Sequence, residues 1–94
     1  MNYQIIWDIK TRDFLKKIDR IEAKRIIKKV NSIVNEPKHY LKSLVGIKSR
    51  KLRIGDYRAL IDLDEKNKIL NVIFIGHRKN IYNTISKLKE IRNK

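Results

Sequence analysis

The sequence predicts a small α+β domain with the element order β-α-α-β-β-β-α. Three features predict it: an apolar helical stripe in the first half, a glycine–aspartate turn between two alternating segments, and a nearly continuous apolar segment after them. Consecutive strands joined by short turns must be antiparallel, so we expect a small, mostly antiparallel sheet. At 94 residues the chain has room for one domain, which we take to span residues 1–94.

The first elements are a strand and a short helix. Residues 3–8 are apolar and aromatic at alternate positions, which is typical of a strand. Thr11 is a candidate N-cap for the helix that follows, and three residues supply its buried side: Phe14, Leu15 and Ile18. Asp19 and Glu22 have the spacing of a capping box, which predicts a second helix starting there.

The second helix carries the clearest helical pattern in the chain. Its apolar residues recur three and four positions apart: Ala23, Ile26, Ile27, Val30, Ile33 and Val34. We expect Pro37 to stop this helix, because proline lacks an N–H and disfavours the α conformation at Glu36. The two helices should form a hairpin on one face of the sheet, with residues 41–46 as a connector.

Three strands and a last helix follow. The strands are predicted at about 48–54, 57–64 and 69–75, with a tight turn at 55–56, a polar turn at 65–68, and Gly76 ending the third strand. One face of the middle strand is apolar: Tyr57, Ala59, Ile61 and Leu63. The third strand should be buried on both faces. Asn80 can cap a terminal helix, expected to be mobile, with four apolar residues at turn spacing: Ile81, Ile85, Leu88 and Ile91.

Charge is the strongest compositional signal. Lys and Arg total 24 against 10 Asp and Glu, a formal net charge of +14. Self-repulsion at that density disfavours a compact state, which points to a polyanionic partner, nucleic acid or an acidic protein. Solubility or a lysine-rich codon bias is the simpler alternative. The absence of cysteine and the wide separation of the two histidines predict no metal or cofactor.

The sequence predicts a cytoplasmic protein that does not enter a membrane. Its first residues lack the basic start and long apolar stretch of a signal peptide. No apolar run approaches the length needed to cross a bilayer.

Cations and one aromatic ring could meet on one face of the three-stranded segment. Lys51 and Arg53 share a side of their strand, while Leu52 and Ile54 point the other way. Strand pairing could bring them near four residues from later segments: Arg58, His77, Arg78 and Tyr82. Such a set could hold an RNA phosphate and stack on a base. Ordinary solvated charges on an amphipathic sheet would give the same pattern.

Any RNA cleavage by this chain should proceed without metal, because acidic residues are few and scattered. RNA carries its own nucleophile in the 2′-hydroxyl, which attacks the adjacent phosphate once a base removes its proton. Cations then stabilise the developing charge, and an acid protonates the departing 5′ oxygen. A lysine crowded by other cations can act as the base. His77 is either an acid or base or, as we favour, a structural histidine.

Residues 51–58 (KLRIGDYR) and 72–82 (VIFIGHRKNIY) resemble the RelE/ParE superfamily of toxins. The resemblance implies an endoribonuclease that cuts messenger RNA in the ribosomal A site. It implies Lys51 as the base, Arg58 as the phosphate-stabilising cation, Arg78 as acid or charge stabiliser, and Tyr82 as the residue that stacks on or orients the substrate. Further residues are expected to bind RNA: Lys48, Arg50, Arg53, His77 and Lys79. Ser49 stands where the best-known member has a second lysine.

The resemblance also implies partners and leaves two alternatives open. The expected partners are a RelB-like antitoxin, forming a toxin–antitoxin hetero-oligomer, together with the ribosome and messenger RNA; no cofactor is implied. One alternative is a ParE-like gyrase poison, which shares the fold and targets a protein. The other is a non-catalytic RNA-binding module. We favour the ribosome-dependent nuclease because a gyrase poison has no need of Lys51, Arg58, Arg78 and Tyr82.

Overall fold

The computed structural model describes residues 2–92, with side chains as far as Glu90. The described part contains four helices and five strands, in this order: β1 (Gln4–Trp7), α1 (Ile9–Lys17), α2 (Arg20–Ser32), α3 (Pro37–Tyr40), β2 (Lys42–Ser43), β3 (Arg50–Ile54), β4 (Tyr57–Asp64), β5 (Ile69–His77) and α4 (Ile81–Arg92). No helix in this part of the chain is long and apolar enough to span a bilayer.

The strands form one five-stranded sheet in the order β1-β5-β4-β3-β2. β1 runs parallel to β5, and all other neighbours are antiparallel. The α+β class and the mostly antiparallel sheet are therefore confirmed. The tight turn at Gly55 is also as predicted, and its φ of 57° is a conformation that glycine adopts without strain.

Two layers of helix cover the sheet. The hairpin of α1 and α2 lies on one face, where the buried side chains of α2 meet those of the strands. The main core contains Ile26, Val30, Ile33, Leu41, Leu52, Ile54, Ala59, Ile61, Leu70, Val72 and Ile75. The helix α4 packs on the opposite face, where Ile81 and Ile85 meet Leu60. β5 contributes to both clusters, as its continuous apolar sequence predicts.

A β-bulge interrupts the pairing of β4 with β5. Leu60 pairs with Phe74, but the next residue, Ile61, pairs with Val72, so Ile73 has no partner. Ile73 and Phe74 consequently both belong to the cluster beneath α4. A bulge of this kind redirects side chains and is common beside functional sites.

The predicted N-cap at Thr11 is wrong, and the helix begins three residues earlier than that cap implies. The N-cap residue of α1 is Asp8, which makes no side-chain capping bond. Thr11 lies in the first turn and is 1% exposed. Its hydroxyl donates to the Asp8 carbonyl at 2.6 Å and lies 3.4 Å from the Val72 carbonyl, so it ties α1 to β5. The cap of α2 is as predicted, because Asp19 Oδ1 accepts from the Ile21 N–H at 3.1 Å.

The predicted end of α2 and the connector after it also need correction. The helix ends at Ser32, before Pro37, which instead starts α3 at a position where its missing N–H costs nothing. Part of the expected connector pairs with β3 as the short strand β2. Ile27, expected in the apolar stripe, is 40% exposed at its edge.

The third predicted strand continues past its expected end. β5 includes Gly76 and reaches His77, which pairs with Tyr57. A Cβ at position 76 would lie 2.7 Å from the Phe74 ring, so this glycine gives room for an aromatic side chain rather than a chain reversal. Ile81, Ile85 and Leu88 pack against the sheet as predicted, whereas the side chain of Ile91 lies outside the described residues. The mobility of α4 stays a prediction.

Candidate active site

Three cations project from the α4 side of β3 and β4. Strand alternation puts Lys51 and Arg53 on this side, and Arg53 pairs directly with Arg58. We call Lys51, Arg53 and Arg58 the cationic face. Within residues 2–92 none of them forms an ion pair, and like charges stand opposite each other at the Arg53–Arg58 pair. Such an arrangement is unfavourable alone and favours an anionic ligand.

The tight turn fixes both candidate catalytic arginines. Arg58 Nη1 donates to the carbonyls of Gly55 and Tyr57, each at 2.8 Å. The backbone N–H of Arg78 donates to the Asp56 carbonyl at 2.8 Å, and its Nε lies 3.9 Å from Asp56 Oδ1. The two arginines, 20 positions apart in sequence, therefore meet at one turn.

The last helix brings an aromatic ring to the cationic face. Ile81 at the start of α4 is 1% exposed and anchors the helix on the sheet. The next residue, Tyr82, is 65% exposed, and its ring centroid lies 5.5 Å from Lys51 Nζ. This is a cation–π distance, and the exposed ring remains open to a stacking partner.

The structure does not bring every predicted RNA-binding residue to this face. His77 lies on the hairpin side of the sheet, with its ring edge-on to Tyr57 at 5.9 Å, and its Nδ1 accepts from the exposed Lys79 N–H at 3.2 Å. Arg50 lies on the same side of β3 as Leu52 and so points away from Lys51. Arg50 and Lys48 line a separate depression beside Asp62 and Asp64.

The sequence prediction missed several polar residues around the cationic face. The sequence prediction gives Asp56 only a role in the turn. An aspartate between two basic segments could also have indicated a carboxylate that pairs with an arginine. Ser49 is 1% exposed, and its hydroxyl donates to Asp62 Oδ1 at 2.6 Å. This contact joins residues 13 positions apart and has no local sequence signal.

The fold and the candidate site together describe a small basic domain with a cationic surface. Comparison with known proteins supplies the family. The sequence model described as "ParE toxin of type II toxin-antitoxin system, parDE" matches residues 5–82. The chain therefore belongs to the RelE/ParE superfamily of toxins from type II toxin–antitoxin systems. No curated protein sequence matches it.

Several solved toxin structures share the fold. The RelBE2 toxin–antitoxin complex of Mycobacterium tuberculosis contains a chain 20% identical to this one, with a TM-score of 0.77, covering 83% of this chain and 100% of its own. A double mutant of the Escherichia coli toxin RelE in its free state is 19% identical, with a TM-score of 0.75, and the match covers 97% of this chain and 99% of its own. A chain in the RelE–RelB complex of Pyrococcus horikoshii is 19% identical, with a TM-score of 0.70, and the match covers 83% of this chain and 97% of its own.

Proposed function

We propose that this toxin is a ribosome-dependent endoribonuclease that cuts messenger RNA in the A site. The observation that carries the proposal is the cationic face, whose three residues form no ion pair among the described side chains, beside an exposed tyrosine. Lys51 lies against Tyr82, and the turn beside them holds Arg58 and Arg78. Phosphate binding, charge stabilisation and base stacking each have a residue in this cluster.

In the proposed reaction, the substrate supplies the nucleophile. Lys51 accepts the proton of a 2′-hydroxyl, whose oxygen attacks the adjacent phosphorus and forms a 2′,3′-cyclic phosphate. The bond to the 5′ oxygen breaks, and that oxygen must receive a proton, with Arg78 as the acid or as the cation that stabilises its charge. His77 faces the opposite side of the sheet, so we give it no step in the reaction.

Arg58 can hold a phosphate without leaving the turn. A guanidinium has five N–H donors, and the two carbonyl bonds of Arg58 engage only Nη1. The donors on Nε and Nη2 stay available for phosphate oxygens. Because the guanidinium is already fixed, little side-chain freedom is lost on binding, which strengthens its stabilisation of the transition state.

We also propose the expected partners and location. This toxin would be cytoplasmic and would form a hetero-oligomer with a RelB-like antitoxin, as the toxins of the same fold do in the RelB–RelE complexes of Pyrococcus horikoshii, Escherichia coli and Methanococcus jannaschii. The net charge of +14 favours an acidic antitoxin and fast association.

The test is messenger cleavage by the purified chain on programmed ribosomes, mapped by primer extension. A discrete cut in the A-site codon is the expected result. RNA binding without any cut would replace the nuclease by a non-catalytic RNA-binding module.

A second candidate function is gyrase poisoning, because the matching family model is described as a ParE toxin. Supercoiling by purified gyrase should be measured with the same protein preparation. Inhibition of gyrase together with intact messenger RNA would favour this candidate over the nuclease.

A further inference from the structure

A shallow depression of about 300 Å³ lies on the α4 side of the sheet, at the β1, β4 and β5 strands. Its volume is at the lower end of the range for ligand pockets. Six residues line it: Ile6, Asp8, Asp62, Asn71, Val72 and Ile73. The proposed cleavage reaction uses none of them.

A buried serine fixes the carboxylate of this depression. Ser49 donates to Asp62 Oδ1 at 2.6 Å, and this is the only hydrogen bond to that carboxylate from the side chains described, which end at Glu90. A carboxylate has about four lone-pair sites, so most of its acceptor capacity remains. Asp64 differs, because side-chain and backbone bonds from Asn67 satisfy it and lower its pKa below the ordinary value.

An amide stands directly opposite the carboxylate. Asn71 on β5 pairs with Asp62 on β4, so the two side chains share a face. Both residues are half-buried, and the Asn71 side chain makes no hydrogen bond within the described part of the chain. The pair therefore offers a fixed set of acceptors with one amide donor group.

Apolar side chains flank this polar pair. Ile6 on β1 is 44% exposed, and Ile73 is the residue that the β-bulge turns toward α4. A depression with apolar flanks and a polar end matches a nucleobase, which has flat apolar faces and a hydrogen-bonding edge.

Charge and distance determine which part of an RNA would fit. Within this depression the Asp62 carboxylate repels phosphate and attracts N–H donors, while the cations Lys48 and Arg50 line the adjoining depression that shares Asp62 and Asn71 with it. Ser49, which holds Asp62, precedes Lys51 by two residues on the same side of the chain, a separation of about 7 Å. A nucleotide whose phosphate binds Lys51 can therefore place its base in the depression.

We propose that Asp62 and Asn71 form a nucleobase subsite that selects bases with an exocyclic amino group over uracil. The subsite deepens the proposed function, since it assumes that RNA occupies the cationic face. Asp62 accepts the amino N–H, Asn71 hydrogen-bonds the neighbouring edge group, and Ile6 and Ile73 contact the base faces.

The test is a ¹⁵N–¹H NMR titration of the full chain with nucleotide pairs that differ in the amino group. CMP is compared with UMP, and GMP with IMP, following the Asn71 side-chain amide and the Asp62 backbone amide. The nucleotide without the amino group should bind about 10-fold more weakly, the loss expected for one hydrogen bond to a charged group.

Two charge-matched variants sharpen the test. Asp62→Asn should abolish the difference within each pair. Asp13→Asn makes the same charge change on α1, on the far side of the sheet, and should leave the difference intact. Equal affinities in the unmodified protein, an undiminished difference in Asp62→Asn, or no shift at either residue would each overturn the subsite.

The titration is independent of cleavage. If the protein cuts messenger RNA but the NMR shifts are absent, the subsite proposal is wrong and the nuclease proposal stands. If the NMR shifts occur but no messenger RNA is cut, the nucleobase subsite stands and the nuclease proposal is wrong.

Discussion

At the scale of single residues, the turn at Gly55–Asp56 organises the candidate active site. Its carbonyls hold Arg58 and the backbone of Arg78, while the Asp56 carboxylate lies near the Arg78 side chain. Arg78 and Asp56 are 56% and 70% exposed, so their ion pair adds little to stability. The ion pair instead orients the Arg78 side chain, because a cation that is already in position stabilises the charge of a transition state without having to reorganise.

Arg78→Ala should reduce A-site cleavage about 10²- to 10³-fold, the usual loss for a group that stabilises a transition state. Because the side chain is mostly exposed, the melting temperature should be unchanged. Arg12→Ala, an exposed arginine on α1, is the control and should keep full activity. A fully active Arg78→Ala variant would show that this arginine has no catalytic role.

Tyr82 should act through its ring rather than its hydroxyl. The ring lies against Lys51 and is largely exposed, and no hydrogen bond of its hydroxyl occurs in the described residues. Tyr82→Phe should therefore cost less cleavage rate than Tyr82→Ala, as measured by primer extension under single-turnover conditions. Equal and severe losses in both variants would instead assign the role to the hydroxyl.

At the scale of elements, α4 connects stability to the site. Ile81 is buried on the sheet directly before Tyr82, so the packing that holds the helix also positions the ring. The helix is thereby a structural part of the candidate active site. Loosening it should affect both the free energy of unfolding and cleavage.

Ile81→Ala should lower the free energy of unfolding by about 2–5 kcal/mol, the range for truncating a buried isoleucine. Urea denaturation followed by circular dichroism measures this loss. Cleavage should fall as well at temperatures where the variant is folded. Ile21→Ala is the matched control, because Ile21 is 67% exposed and its truncation should cost little. Comparable losses in both variants would contradict the packing described for α4.

The elements that local patterns specify were predictable, and those that depend on distant contacts were not. The predicted bounds of β4 coincide with the observed strand, because apolar alternation and the adjacent turns define it. The four-residue α3 and two-residue β2 are too short to produce a periodic pattern. The parallel pairing of β1 with β5 joins residues more than 60 positions apart, which no local pattern specifies.

The same distinction applies to the site. Alternation alone placed Lys51 and Arg53 on one side of β3, as the structure has them. The sequence prediction places His77 near Lys51 and Arg53 because it ends β5 at Gly76. The strand continues, so its alternation takes the His77 ring to Tyr57 instead. The bulge at Ile73 and the bond from Ser49 to Asp62 arise only from the pairing of strands.

At the scale of the whole molecule, excess positive charge is the dominant property. The net charge of +14 already counts every acidic residue, and the three ion pairs among the side chains described up to Glu90 lie at the surface, with only Glu22 partly buried. Exposed pairs contribute little to stability. We therefore expect the charge to act chiefly on partners, through attraction to RNA or to an acidic protein.

Single-stranded RNA should bind with a strong salt dependence, measured by fluorescence anisotropy over a series of KCl concentrations. Each phosphate contact contributes about −0.7 to the slope of log K against log salt. Arg53→Ala should reduce the magnitude of the slope by about that amount, whereas Arg12→Ala on the hairpin side should leave it unchanged. An unchanged slope in Arg53→Ala would remove the cationic face from the RNA-binding surface.

The most direct test of the proposed nuclease activity is cleavage, on programmed ribosomes, of two messengers that differ in one oxygen atom. The second messenger carries a 2′-deoxynucleotide immediately before the mapped cut. Attack by the 2′-hydroxyl predicts a cut in the normal messenger, whose upstream product ends in a 2′,3′-cyclic phosphate, and no cut in the deoxy messenger. Equal cleavage of both messengers would contradict attack by the 2′-hydroxyl, and cleavage of neither would contradict the nuclease itself.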